Sequence, residues 1–286
     1  MTRIEAETLS NENNDVLPLT PFSANYHSHT FRCGHATGTD EEYAKAAFDA
    51  GFKVLGFSDH LMGPGLHQQG IRGEEILLPG YIESVRKLKK KYKGKMTIYL
   101  GMEAEWLGKE WIPYYQKLRK EMKMDYLILG QHAFMEFGKF YWYSEYVDPV
   151  YGAEAYLYDL IEGMDSGLFD CVAHPDLFFN WYPHWDDYAE TIARKIAEAA
   201  ARNHLPLEVN MGQKNYRPGI DIESCERLHY PFPRFWDIIS EYPVDVIIGV
   251  DAHSPLAYER AAYDAFVAFC KNHNLHRLER LKGLEG

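Results

Sequence analysis

The sequence has little cysteine and no paired cysteine motif. Only four cysteines occur in 286 residues, and no two of them form a CxxC arrangement. A chain of this length does not need disulfides for stability, so neither a disulfide scaffold nor a cysteine-ligated structural zinc site is indicated. We therefore expect reduced thiols in a cytoplasmic protein, at Cys33, Cys171, Cys225 and Cys270.

Positive charge is also scarce. Lys and Arg number 30 against 42 Asp and Glu, which gives a formal net charge of -12. An acidic surface repels phosphate backbones and anionic lipids, so we expect no nucleic-acid partner and no membrane association. A phosphate substrate is still compatible with this charge, because bound divalent ions can reverse the sign of a site.

Targeting segments, linkers and repeats are not evident. The sequence shows no apolar run long enough to cross a membrane, no signal peptide and no stretch rich in Pro, Gly or Ser. The polar start, residues 1–20, is expected to be a flexible N-terminal segment. The length suits one α/β barrel, so we predict a single domain over residues 1–286.

What the sequence does contain is an alternation of short apolar runs and longer amphipathic runs. The apolar runs, typical of strands buried on both faces, are 22–26, 53–57, 97–100, 126–129, 170–173, 207–209 and 244–248. The amphipathic runs, of helical length, are 40–50, 81–92, 111–122, 153–164, 187–203, 235–242 and 256–272. Thr39 and Glu42 form a capping-box pattern before the first helix, and Gly51 follows its end. Successive βα units predict a parallel sheet, either a barrel or an open doubly wound sheet.

Side chains that bind metals stand at the ends of nearly all these strands. His27 and His29 follow the first strand at positions i and i+2, so both point to the same face. Asp251 and His253 repeat this spacing after the last strand. The other candidates at strand ends, or in the loops after them, are His35, His60, Glu103, His132 and His174. Only a barrel brings the ends of all its strands to one rim, so the pattern favours a barrel over an open sheet.

The number and chemistry of these candidates indicate a site for more than one ion. Imidazole and carboxylate ligands are typical of Zn, Mn and Fe. One catalytic ion takes three or four protein ligands, so nine candidates indicate two or three ions. Each candidate alone is a weak signal, since HxH pairs recur by chance and Glu103 has an alternative interpretation as a buried structural carboxylate. The recurrence of one chemistry at successive strand ends carries the prediction.

The motifs resemble those of the PHP (polymerase and histidinol phosphatase) superfamily, in the same order, from about Asn25 to about Ala257. They are His-Ser-His-Thr at 27–30, Ser-Asp-His at 58–60, the strand end at Glu103 with the histidines after it, and Asp-Ala-His at 251–253. The resemblance implies a distorted (β/α)7 TIM-like barrel that holds three divalent ions. It implies a first ion on His27, His29, Glu103 and Asp251, a second on Glu103, His132 and His174, and a third on His35, His60 and His253.

The resemblance is strongest to the histidinol-phosphate phosphatase branch of the superfamily. It implies hydrolysis of L-histidinol phosphate, a small-molecule phosphate ester, in histidine biosynthesis. We expect in-line attack by a hydroxide that bridges the first two ions, with the third ion holding a phosphoryl oxygen. Asp59 would either orient a neighbouring ligand or protonate the leaving group. Arg217 is the candidate phosphate clamp, and Glu208 and Asn210 are candidate substrate contacts.

Three other functions stay open at this stage. Another phosphoesterase of the superfamily would act on nucleotides, oligonucleotides or phosphotyrosine, although the acidic charge disfavours a long nucleic-acid strand. An amidohydrolase-like C–N hydrolase also places an HxH pair on a barrel, with fewer ions. A metal-binding subunit without activity is disfavoured by the complete ligand set. The sequence carries no signal for the oligomeric state.

Overall fold

The computed structural model describes residues 22–212, 221–223, 230–258 and 261–284. Its strands are β1 (Ala24–Asn25), β2 (Val54–Phe57), β3 (Thr97–Leu100), β4 (Glu103–Ala104), β5 (Ile128–Leu129), β6 (Ala133–Glu136), β7 (Lys139–Trp142), β8 (Cys171–Val172), β9 (Leu207–Asn210), β10 (Asp245–Gly249) and β11 (His276–Arg277). Its α-helices are α1 (Asp40–Asp49), α2 (Leu78–Lys91), α3 (Ile112–Lys120), α4 (Pro149–Asp165), α5 (Asp187–Asn203), α6 (Pro233–Ile239) and α7 (Ala261–Asn272). The predicted N-terminal segment, Arg217 and Cys225 lie outside the described residues.

The parallel strands form a distorted barrel. They make two sheets, with strand orders β1-β2-β3 and β11-β10-β9-β8-β5-β4. Two isolated parallel bridges join these sheets, one between Ser28 and Ala252 and one between His60 and Glu103. The predicted α/β class is confirmed. Among the described residues, no continuous ladder closes the barrel, because β3 and β4 are two parts of one interrupted strand and the two sheets meet through single bridges.

Local signals place α1 and α5 where the sequence predicts them. Thr39 and Glu42 form the capping box at the start of α1, and Gly51 has a left-handed φ of 88° just after its end. Asp186 caps α5 by accepting hydrogen bonds from two backbone N–H groups of its first turn. Helix α2 begins three residues before the predicted start, since Pro79 is well suited to a first helical turn.

The interior of the barrel is a small core separate from the larger core under the helices. Tyr126 is fully buried there, and its hydroxyl donates to the backbone oxygens of Tyr26 (2.5 Å) and Phe57 (3.1 Å). Gly56 and Gly101 make room for its ring, because a Cβ at either position would lie 2.2 or 2.3 Å from a Tyr126 atom. Leu281 of the C-terminal segment completes this core and donates its backbone N–H to the Tyr26 hydroxyl.

A hairpin of β6 and β7 follows β5 and was not predicted from the sequence. Its turn has positive φ at Phe137 and Gly138, as two-residue hairpin turns require. The aromatic segments 141–143 and 178–182 mainly pack against the fold: Tyr143, Phe178 and Phe179 are buried, while Trp142 is exposed. In the described part of the chain, no helix is long and apolar enough to cross a membrane. Cys33, Cys171 and Cys270 are buried free thiols.

Candidate metal centre

The fold brings all nine predicted ligands to one end of the barrel. His27 and His29 follow β1, His60 follows β2, and Glu103 begins β4. The remaining ligands come after later strands or in the loop after β1: His132 after β5, His174 after β8, Asp251 and His253 after β10, and His35 in the β1–α1 loop. The carboxyl ends of parallel strands share one rim, so residues far apart in sequence become neighbours.

The first cluster consists of His27, His29, Glu103 and Asp251. The two Nε2 atoms of the histidines lie 3.1 Å apart. Oε2 of Glu103 lies 3.4 Å from His27 Nε2 and 3.3 Å from His29 Nε2. Oδ1 of Asp251 lies 3.4 and 3.1 Å from the same two nitrogens. Four donor atoms from three strand ends therefore surround one point.

The second cluster uses the other oxygen of the same glutamate. Oε1 of Glu103 lies 3.1 Å from His174 Nε2 and 3.4 Å from His132 Nε2. The two histidine nitrogens are 3.2 Å apart. Glu103 is buried and faces different histidines with each oxygen, which is the geometry of a carboxylate shared by two ions. Its Oε2 also lies 3.1 Å from Nδ1 of His60.

The third group, His35, His60 and His253, lies closer to solvent. The ring centroid of His35 lies 4.6 Å from that of His253 and 5.6 Å from that of His60. Ring atoms of His29, His60 and His253 also form a set that could hold an ion. His60 is buried, His253 is partly buried and His35 is exposed, so this group reaches from the buried clusters to the mouth of the barrel.

The donor atoms of the first two clusters are better placed to bind metal ions than to form hydrogen bonds with one another. Oε2 of Glu103 and Oδ1 of Asp251 are buried and, within the described residues, make no hydrogen bond, although histidine nitrogens lie nearby. An ion bound at about 2.0–2.1 Å by a tetrahedron of N and O atoms keeps those atoms roughly 3.3 Å apart. The observed separations of 3.1–3.4 Å match that spacing. Clusters of His, Asp and Glu that can bind metals are therefore present.

The electrostatics of the clusters suit cations. Burial alone would raise the pKa of Glu103, but His27, His132 and His60 hold it well below its usual value. Burial likewise opposes ionisation of Asp251, yet His27 and His29 keep its pKa well below the usual value. Burial and the neighbouring His29 lower the pKa of His60 to about 4. Metals bind ionised carboxylates and neutral imidazoles. Burial opposes protonation of His29, but Asp251 and other carboxylates raise its pKa to about 9, so an ion that binds there displaces a proton.

Two buried carboxylates stand behind ligands of these clusters. Glu208 of β9 lies 2.8 Å from Nδ1 of His27 and also accepts the backbone N–H of His174. Glu105 lies 3.2 Å from Nδ1 of His132 and forms a bidentate pair with Arg72. A carboxylate at Nδ1 fixes the tautomer that leaves Nε2 free to bind an ion.

The other predicted site residues have mainly internal partners. Asp59 is buried, accepts hydrogen bonds from the Thr30 hydroxyl and the His60 backbone N–H, and lies 3.8 Å from Nδ1 of His29. Asn210 donates to Glu208 (2.7 Å) and accepts the N–H of Gly212 (2.6 Å). The structure thus places Glu208 and Asn210 behind the ligands.

Comparison with known proteins identifies the family. The model of the PHP domain matches residues 25–212 of this chain. The chain belongs to the PHP domain family. A probable histidinol-phosphatase of Deinococcus radiodurans is 32% identical over 234 residues, which cover 80% of this chain and 85% of the relative. A probable histidinol-phosphatase of Schizosaccharomyces pombe is 23% identical and covers 82% of this chain and 81% of the relative.

Solved structures share the PHP fold. Histidinol phosphate phosphatase from Lactococcus lactis, crystallised with zinc, L-histidinol and phosphate, has a TM-score of 0.67 at 15% identity, covering 91% of this chain and 96% of that one. A putative histidinol phosphatase from Listeria monocytogenes has a TM-score of 0.68 at 18% identity, covering 85% of this chain and all of that one. The family resemblance and the fold predicted from the sequence motifs are confirmed.

Sequence reasoning missed one buried pair in this PHP domain, Glu105 and Arg72. Neither residue is among the site residues predicted from the sequence, but both side chains are buried. Its position two residues after Glu103 was the available signal, because i and i+2 in an extended segment point the same way. Arg72 lies in the long loop after β2, where no periodic pattern points to a partner.

Proposed function

We propose that this chain is a histidinol-phosphatase, a phosphoric monoester hydrolase that converts L-histidinol phosphate to L-histidinol and phosphate in histidine biosynthesis. The observation that carries the proposal is the sharing of Glu103 between the first and second clusters. The choice of substrate is supported by the relatives named histidinol-phosphatase and by the L-histidinol and phosphate bound in the Lactococcus lactis structure.

The proposed cofactor is a set of three divalent ions, Zn, Mn or Fe, held by the first cluster, the second cluster and the third group. When bound, such ions screen the negative charge of the phosphate and lower the pKa of water. The side chains of this chain hold the donor atoms in place before the ester arrives. His35 is exposed and His253 only partly buried, so we propose that the third group meets the incoming phosphoryl group first.

Residues behind the ligands act as positioning residues in this proposal. Glu208 fixes the ring of His27, and Asn210 in turn holds Glu208. For Asp59 the contacts favour orientation of His29 and His60 over proton donation, because it is fully buried and accepts bonds from Thr30 and His60. Arg217, in the segment after β9, stays the proposed phosphate contact.

We propose a single domain, a cytoplasmic location and a small-molecule phosphate ester as the substrate, with no membrane association and no nucleic-acid partner. The acidic net charge of -12 supports the last point, because nucleic-acid surfaces need an excess of positive charge.

The test is phosphate release from L-histidinol phosphate by protein whose ion content has been measured. A nucleoside monophosphate, a phosphotyrosine peptide and an aryl phosphate are assayed beside it. We expect L-histidinol phosphate to be preferred by orders of magnitude and Asp251→Asn to reduce kcat/KM about 100-fold or more, since ions supply several kcal/mol of transition-state stabilisation. Asn suits position 251 because its φ is 49°, a conformation that Asn adopts readily.

The control variant is His67→Gln, which removes an exposed histidine that pairs with Glu74 outside the clusters. It should leave kcat/KM unchanged. If the protein prefers another ester, phosphoester hydrolysis stands, but the assignment of L-histidinol phosphate as the substrate is overturned. Hydrolysis of no ester by ion-loaded protein would overturn phosphoester hydrolysis and direct the search to C–N substrates.

A further inference from the structure

The second cluster is backed by a buried ion pair. Glu105 is 1% exposed, and its Oε1 lies 3.2 Å from Nδ1 of His132. Arg72 is 3% exposed and grips both oxygens of Glu105, with Nη2 at 2.8 Å from Oε1 and Nη1 at 3.1 Å from Oε2. One oxygen of Glu105 thus contacts the histidine and the guanidinium together.

Arg72 is itself fixed from several sides. Its Nη1 also donates to the backbone oxygen of Leu61 (3.2 Å), and its Nε donates to the side chain of Gln68 (2.9 Å). Its guanidinium lies 4.3 Å from the ring centroid of Phe140 on β7. The loop after β2 and the hairpin therefore meet at the residue that holds Glu105.

Stability alone does not explain this pair. A buried ion pair is often no more stable than well-packed apolar residues of the same volume, because both charges lose their hydration. A buried pair whose carboxylate also faces a metal-binding histidine has a second use, which is to set the tautomer and ring orientation of that histidine. Nδ1 of His132 is the atom in contact, so Nε2 faces Glu103 and His174.

We propose that Glu105, held by Arg72, is a positioning residue that sets the affinity of the second cluster for its ion. The inference rests on the proposed function, since it takes His132 as a ligand. Arg72 cancels the charge of Glu105, whereas among the described residues the partners of Glu208, behind the first cluster, are His27 and neutral donors. The second cluster therefore holds its ion less tightly than the first and depends more on ring orientation.

The test measures zinc bound per chain. Ion-free protein is dialysed against a series of free Zn²⁺ concentrations and analysed for bound zinc. For Glu105→Gln we expect one ion to require about 10- to 100-fold more free Zn²⁺ for half-saturation, with the tighter binding unchanged. Arg72→Lys keeps the positive charge but loses the paired hydrogen bonds of the guanidinium. Its increase in the Zn²⁺ concentration for half-saturation should therefore be smaller than that of Glu105→Gln.

The matched control is Asp170→Asn, which breaks another bidentate pair, with Arg119, at 2.9 and 3.2 Å. That pair touches no predicted ligand, so zinc binding should match wild type even if the melting temperature falls. If Glu105→Gln does not fold, the double variant Arg72→Met with Glu105→Leu replaces the pair by apolar side chains and is measured instead.

The outcomes separate the two proposals. Zinc curves of Glu105→Gln, or of the double variant, that coincide with wild type overturn the positioning role alone. A wild-type chain that binds no zinc, manganese or iron overturns the proposed function and the positioning role together. If Asp170→Asn shifts the Zn²⁺ concentration for half-saturation as much as Glu105→Gln does, the positioning role is also overturned. Both shifts would then reflect a general loosening of the fold.

Discussion

At the scale of single residues, glycines set how closely the carboxylates of the site pack. A Cβ on Gly130 would lie 2.1 Å from Oε1 of Glu103, and one on Gly249 would lie 1.6 Å from Oε1 of Glu208. Neither distance is possible for real atoms, so any larger side chain must displace the carboxylate. The glycines at positions 130 and 249 therefore leave the space that these two carboxylates occupy.

Replacement of Gly249 by Ala should move Glu208 away from Nδ1 of His27. We expect kcat/KM to fall about 10- to 100-fold, as for other losses of a partner behind a metal ligand. The overpacking should also lower the free energy of unfolding by about 1–3 kcal/mol. Steady-state kinetics and urea unfolding measure the two effects.

Gly80→Ala is the matched control, because a Cβ there meets no atom within 4 Å. It lies inside helix α2, so Ala should raise the free energy of unfolding by roughly 0.5–1 kcal/mol and leave kcat/KM unchanged. Full activity in Gly249→Ala would show that Glu208 does not position His27.

At the scale of elements, helix α5 shows how a cap and an apolar face work together. Asp186 accepts the backbone N–H groups of Tyr188 and Ala189. Ile192 and Ile196 lie on the buried face of the helix. The cap satisfies N–H groups that the helix itself leaves unpaired, and burial of the apolar face attaches the helix to the strands.

Loss of this cap should be measurable in urea unfolding. Asp186→Ala should lower the free energy of unfolding by about 1 kcal/mol, whereas Asp186→Asn, which caps equally well, should stay near wild type. The backbone N–H of Ala189 lowers the pKa of Asp186 below its usual value of 3.8, so the charge contributes stability above that pH. The difference in the free energy of unfolding between wild type and Asp186→Ala should shrink as the pH falls below about 4. A difference that stays constant with pH would mean that the charge of Asp186 contributes no stability.

Element prediction from the sequence succeeded where the signals were local. The capping box at Thr39 and the apolar spacing of α5 depend on neighbours within a few residues. The β6–β7 hairpin was missed because its turn, Phe137 and Gly138, lacks the usual Asn-Gly or Asp-Gly pair. Its strands are also short and only partly buried, so they show no clear alternation.

At the scale of the whole molecule, the clusters place many ionisable groups inside the protein. His27, His29, His60, Glu103, His174 and Asp251 are all buried. Without ions, the carboxylates are balanced only by protons on histidines: burial opposes protonation of His29, yet Asp251 and other carboxylates raise its pKa to about 9. Ions that replace these protons should stabilise the folded chain, because the unfolded chain has no formed site.

Removal of ions should therefore lower the melting temperature. A ligand at about 1,000 times its Kd adds about 4 kcal/mol to stability, and each kcal/mol shifts the melting temperature by about 2–4 °C in a domain of comparable size. We expect the melting temperature, measured by calorimetry, to fall on the order of 10 °C after chelation. It should recover when Zn²⁺ or Mn²⁺ is added. An unchanged melting temperature in protein shown to be ion-free would contradict a role of the clusters in stability.

The predicted metal ligands were easier to find in the sequence than the residues that hold those ligands in position. Strand-end histidines and carboxylates are visible in the sequence because the spacing i, i+2 and the strand pattern are local. The contacts of Glu105 with Arg72 and of Glu208 with His27 join segments 33 and 181 residues apart, and only the folded chain brings them together. Long-range contacts of this kind leave no periodic trace in the sequence.

The side chain of Tyr126 and the C-terminal Leu281 fill the barrel beneath the clusters. Within the described residues, the buried side chains of this small core pack against one another, as expected of a filled barrel and not of a pore. His35 is exposed and His253 is partly buried, so the clusters open to solvent on the side of these two histidines. In the proposed reaction the alcohol and the phosphate must leave by the opening through which the ester entered, so each turnover ends only when that opening has been cleared.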